Sequence, residues 1–187
     1  MHRIATLALA LLVVAIPLHA QLDAPMVNIP LSLDLGLGGG VSVPSGDLSN
    51  SNNTGYHAGG KLRIHGPLPF NIVAGGMYNN LPEKVGDKSD NQIIVGAGIE
   101  VGIPSVAVQP YFGADVLYLR FNNEGTGTSS FNRGGLALGA GVEFVIPAFG
   151  SFDTSVKYQF MNLMGKKDTE PTASQIVATV AVMIGLI

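Results

Sequence analysis

Residues 32–43 read SLDLGLGGGVSV, and leucine or valine stands at almost every second position with only serine, aspartate and glycine between. Strict alternation is the period-2 signature of a β-strand whose two faces meet different environments. One face carries Leu33, Leu35, Leu37, Gly39, Val41 and Val43; the other carries Ser32, Asp34, Gly36, Gly38, Gly40 and Ser42. In a soluble sandwich the apolar face would meet a protein core, and in a membrane barrel it would meet lipid. The choice rests on the rest of the chain.

Seven further segments alternate in the same way, at about 55–65, 70–80, 91–103, 107–121, 133–146, 151–163 and 175–187. Each has at least the length, about 9–11 residues, that a tilted strand needs to cross a bilayer. Eight is an even number, as single-chain outer-membrane barrels require. The connections sort by parity. Those after strands 2, 4 and 6 are brief and marked by proline (GPLP at 66–69, PSV at 104–106, PAFG at 147–150). Those after strands 1, 3, 5 and 7 are longer and polar (44–54, 81–90, 122–132 and 164–174). Short periplasmic turns opposite longer external loops are a barrel property, and a soluble sandwich has no reason to sort loops this way.

Composition agrees. Charged residues make up 12% of the chain, about half of the roughly 25% usual in soluble domains, and there are 25 glycines. The chain opens MHRIATLALALLVVAIPLHA, with Arg3 ahead of an apolar run and Ala20 before Gln21. This is the layout of a secretory signal peptide over residues 1–20, with the barrel domain expected over 21–187; the run is short for a spanning anchor helix. Loss of Arg3 with the leader leaves 9 of the 10 lysines and arginines against 13 acidic residues. No basic patch argues for nucleic acid. With no cysteine there is neither a disulfide framework nor a lipid-anchoring thiol, which suits a bacterial envelope protein.

The apolar faces, such as Ile93, Val95, Ala97, Ile99 and Val101, or Leu136, Leu138, Ala140, Val142 and Phe144, are expected to face lipid. Aromatic belts should bracket them, with Tyr56, Tyr78, Tyr118, Phe121, Phe131 and Phe160 near the loop rim and Phe70, Phe112, Phe144, Phe149 and Phe152 near the turn rim. The opposite faces carry Asp34, Lys61, Arg63, Glu100, Asp115, Glu143, Asp153 and Lys157, expected to form an ionic network in the lumen. The repeat of GAGIEVGIP at 96–104 as GAGVEFVIP at 139–147 puts Glu100 and Glu143 at one offset from a turn proline, and Arg63 holds that offset from Pro67. These three charges should lie at similar height. Interior glycines make room for them, since an eight-stranded barrel is just wide enough for side chains to fill.

Chemistry finds little support. GLGGGV at 36–41 and GAGIEVG at 96–102 miss the last glycine of a dinucleotide fingerprint, and no phosphate-loop lysine follows. After the leader only His57 and His65 remain, predicted near opposite rims, so no shared hydrolytic triad is expected. Asp87 and Asp90 read as a solvated loop and not as a metal site. No catalytic residue, metal or cofactor is expected.

The leader, the segment GLGGGVSVPSGDLSN, PYFGADVLYLRF in strand 5 and SFDTSVKYQF in strand 7 together resemble the small eight-stranded outer-membrane barrels of the OmpA/OmpX type, and more closely the porin-like outer-membrane β-barrel domain family. The likeness covers nearly all of the mature chain as a pattern. It implies an all-β, antiparallel, up-and-down transmembrane barrel, exported to the outer membrane, monomeric and surrounded by lipid. It also implies a non-enzymatic structural role or interaction of the loops with a surface ligand; a narrow solute channel and a membrane-embedded lipid-modifying hydrolase are the alternatives. Such barrels usually end on an aromatic residue, whereas this chain ends on Ile187, and no peptidoglycan-binding domain is expected after the last strand.

Overall fold

The computed structural model describes residues 31–103, 107–123, 131–147, 149–166, 170 and 172–186. Eight strands follow one another: β1 (Ser32–Gly46), β2 (Gly55–His65), β3 (Asn71–Pro82), β4 (Ser89–Gly102), β5 (Val108–Asn123), β6 (Phe131–Ile146), β7 (Gly150–Met164) and β8 (Ala173–Gly185). Each pairs antiparallel with its sequence neighbours, and β1 closes on β8 from Asp34 opposite Gly185 to Gly46 opposite Ala173. Closure leaves no strand edge unpaired, the condition for a sheet to exist in lipid. The expected leader and the turn at 104–106 lie outside the described residues, as do most of the loop at 122–132 and Ile187.

Leu35, Leu37, Val41 and Val43 are exposed on the outer wall, while Gly36 and Ser42 are buried in the lumen. Ile93, Val95, Ile99 and Val101 on β4 and Leu136, Leu138 and Phe144 on β6 are outward in the same way, and Val142 is half-buried. This continuous apolar wall is far larger than the patches of a few hundred Å² that soluble monomers tolerate. Tyr56, Tyr78 and Tyr118 at one rim and Phe112, Phe144, Phe149 and Phe152 at the other are exposed where the belts require. Phe121 is a correction: it is 4% exposed and points into the lumen.

Three local departures have physical causes. The first long loop contains a short helix, α1 (Leu48–Ser51), because Leu48 has an apolar surface at the lumen mouth to cover. The second is shorter than expected, since pairing of β3 with β4 continues to Leu81 opposite Asp90 and Pro82 opposite Ser89. In β7, a register shift sets Gly134 opposite Met164 but Leu136 opposite Phe160. A bulge of this kind breaks the alternation, so Met161 and Asn162 are both buried.

Candidate functional site

The lumen is filled in layers by inward side chains. Toward the turn rim, Arg63 on β2 reaches three strands at once. Its Nε donates to Glu100 Oε2 at 2.8 Å on β4, its NH2 donates to Asp153 Oδ2 at 2.7 Å on β7, and its NH1 donates to Glu143 on β6. Lys61, one inward position along β2, donates to Glu100 Oε1 at 3.1 Å and to Asp153 Oδ2 at 3.0 Å. The shared offset of Arg63, Glu100 and Glu143 from their turn prolines thus corresponds to direct contact.

Two cations face three carboxylates in this cluster, and neutral donors serve the surplus negative charge. Tyr111 donates its hydroxyl to Asp153 at 2.8 Å, and Ser151 donates to Glu143. The Tyr111 ring also lies 5.2 Å from Lys61 Nζ and 5.3 Å from Arg63 Cζ, within cation–π range. The ring occupies the space a side chain at Gly141 would need. Arg63 is 1% and Glu100 0% exposed, so this pair is dry and its two charges depend on one another, while Lys61 is part-exposed.

The remaining charges of the expected network stand apart. Lys157 on β7 donates to Asp115 Oδ2 on β5 at 2.7 Å. Asp34 pairs with His65 Nε2 at 2.6 Å near the turn rim. The single network read from the sequence is therefore a five-residue cluster of Lys61, Arg63, Glu100, Glu143 and Asp153, with two separate pairs. The reason is reach: strand stagger sets Asp115 and Asp34 beside different partners.

Between these charges and the loop rim runs a chain of amides. Asn79 on β3 donates to Gln92 Oε1 at 2.9 Å and, across the barrel, to Gln175 Oε1 on β8 at 3.0 Å. Gln175 donates in turn to Gln159 Oε1 at 2.8 Å, and Gln92 to Asp90 Oδ2 at 3.2 Å. Asp90 is thus a buried strand residue, 7% exposed, and not part of a solvated loop. Beside the amides, Ile94, Leu117, Leu119, Phe121, Ala137 and Met161 form an apolar plug against which Leu48 of α1 packs. A cavity of about 140 Å³ remains in the lumen, bordered by His57, Lys61, Asp115, Lys157 and Thr179.

Alternation alone does not reveal Tyr111 or the apolar plug. Their signal is parity: 111, 113, 115, 117, 119 and 121 share the face of Asp115, but from Val116 to Leu119 both faces are apolar or aromatic and alternation is silent there.

Among the described residues, neither histidine hydrogen-bonds both a carboxylate and a serine: His65 meets Asp34, and His57 meets only hydroxyls. His57 has Ser42 Oγ at 3.0 Å from Nδ1 and Thr179 Oγ1 at 3.0 Å from Nε2, so neither ring nitrogen meets the carboxylate that a triad needs. Ser42 is 0% exposed. No group of three or more metal-ligating side chains occurs among the described residues.

A family model described as outer membrane protein beta-barrel domain matches residues 6–183, starting within the expected leader. No curated protein sequence matches the chain significantly. Among solved structures, the chain is similar to Neisserial surface protein A, with 16% identity, a TM-score of 0.63, and coverage of 83% of this chain and 98% of that one. It is also similar to the N-terminal β-barrel domain of Pseudomonas aeruginosa OprF, with 15% identity, a TM-score of 0.53, and coverage of 83% and 97%. At these identities the likeness concerns the fold.

Proposed function

We propose, since this chain belongs to the outer membrane protein beta-barrel domain family, that it is a closed, non-conducting scaffold of the outer membrane whose external loops carry its interactions. The observation behind this reading is that side chains bridge the lumen from opposite walls in two layers, Arg63 to Glu143 and Asp153, and Asn79 to Gln175. A water-filled channel leaves its lining side chains wet. Here Arg63, Glu100, Gln92, Leu119 and Met161 are all at 1% exposure or less. A solute path through this barrel requires separating dry ion pairs, each costing several kcal/mol.

The role is non-enzymatic and the working unit is the monomer in lipid. Long loops on a rigid frame are a common place for recognition, and the loop rim is braced for that purpose. Arg133 Nε donates to Glu170 Oε1 at 2.9 Å, and Asp47 accepts the Thr172 amide at 2.8 Å, tying the first loop to the last. Planar-bilayer recording of the purified full chain tests the reading. It predicts no discrete conductance steps. Stable, reproducible steps would replace the scaffold with a narrow channel.

A further inference from the structure

Among the described residues, the outward-facing positions of all eight strands carry one formal charge, and it is Arg120 on β5. From the turn rim upward, the outward series on that strand is Phe112, Ala114, Val116, Tyr118, Arg120. Arg120 is exposed and makes no ion pair or hydrogen bond with any described residue. Its height is that of the interface: it stands one outward position beyond Tyr118 of the loop-side belt, and its pairing partners are Ile93 on β4 and Asn132 on β6. An arginine on the lipid face costs about 2–4 kcal/mol at mid-membrane but about 0–1 near the interface, so at this level it stays charged.

Below it the wall is dented. An open groove of about 470 Å³ crosses β4 to β7 on the outer face, lined among others by Ala97, Ile99, Ala114, Val116, Leu138 and Phe160. Arg120 and Val116 are four residues apart on one strand, about 13 Å at about 3.3 Å per residue. One leaflet of the hydrocarbon core is about 15 Å deep. A lipid whose headgroup reaches Arg120 therefore has its acyl chain at the level of the groove.

We propose that this face holds one lipid of the outer leaflet that bears exposed phosphate monoesters, one of them on the Arg120 guanidinium and an acyl chain in the groove between Ala97 and Ala114. The planar guanidinium presents paired donors that match a phosphate, and among the described residues no carboxylate on the outer wall competes for them. The small side chains leave volume that a flexible chain fills without displacing protein.

Native mass spectrometry of the detergent-purified full chain, titrated with lipid A or with phosphatidylcholine at equal concentration, tests this. The wild type should retain one lipid A in preference to phosphatidylcholine. Arg120→Gln should lower that retention about tenfold, the factor expected for loss of a charge-assisted hydrogen bond. Ala114→Leu, which fills the groove from the lipid side, should lower it as well. Both variants should keep the heat-modifiable electrophoretic migration of a folded barrel, which separates lost binding from lost folding. Equal retention by the wild type and Arg120→Gln, or equal retention of the two lipids, overturns the headgroup assignment. Unchanged retention by Ala114→Leu overturns the acyl-chain assignment. Neither result bears on conductance, so the scaffold reading stands or falls separately.

Discussion

Arg63→Ala is expected to lower the unfolding free energy of the barrel by about 3–5 kcal/mol, the usual cost of removing one member of a buried ion cluster. The substitution leaves Glu100, Glu143 and Asp153 with Lys61 as the cation in contact, and Lys61 touches only Glu100 and Asp153. Glu143 then keeps only the Ser151 hydroxyl among its hydrogen-bond donors described above. Unfolding in urea, followed by the mobility of unboiled samples, gives the comparison. Arg63→Ala combined with Glu143→Gln should recover part of the loss, because it removes the stranded charge. An unchanged midpoint in Arg63→Ala would mean that water, and not the arginine, satisfies these carboxylates.

The second large effect concerns closure. Gly38 and Gly40 lie on β1 where it pairs with β8, opposite Ala181 and Thr179. A Cβ at Gly38 would fall 2.6 Å from the Cβ of Ala181, and one at Gly40 would fall 2.9 Å from the Ala178 carbonyl carbon and 3.1 Å from the His57 ring. Backbone must move to admit either. Gly38→Val/Gly40→Val should destabilise the barrel by about 2–6 kcal/mol, at about 1–3 kcal/mol for each overpacked position. The measured outcome is loss of most of the fast-migrating folded band. A folded fraction equal to the wild type would show that the seam between β1 and β8 is looser than described.

The segment 32–43 was easy to read because the wall and the lumen of a barrel differ in polarity, and period-2 alternation reports that difference directly. Strand order followed from the parity of the loops. Arg63, Glu100 and Glu143 are legible as a group because a turn proline at a fixed offset measures height, and equal height on the alternate strands β2, β4 and β6, which all run toward the turn rim, lets their side chains meet across the lumen. Alternation fails where both faces are apolar. Leu117, Leu119 and Phe121 fill the lumen above the ions, and nothing in their chemistry distinguishes them from Val116 or Tyr118 on the wall. Asn162 escaped for another reason, since a bulge changes parity within a strand and leaves no composition signal. Asp34 and Asp115 were assigned to one network because sequence gives face and approximate height but not the strand stagger that separates partners.

A membrane barrel closed by β1 on β8 is plugged by its own side chains. Fractionation of the outer membrane, followed by electrophoresis of boiled and unboiled samples, tests this architecture most directly. The protein should partition with the outer membrane and migrate differently before and after boiling, because a closed barrel stays folded in detergent until it is heated. Soluble protein with a single mobility would contradict the account and return Leu35, Leu37 and Val41 to the interior of a protein core.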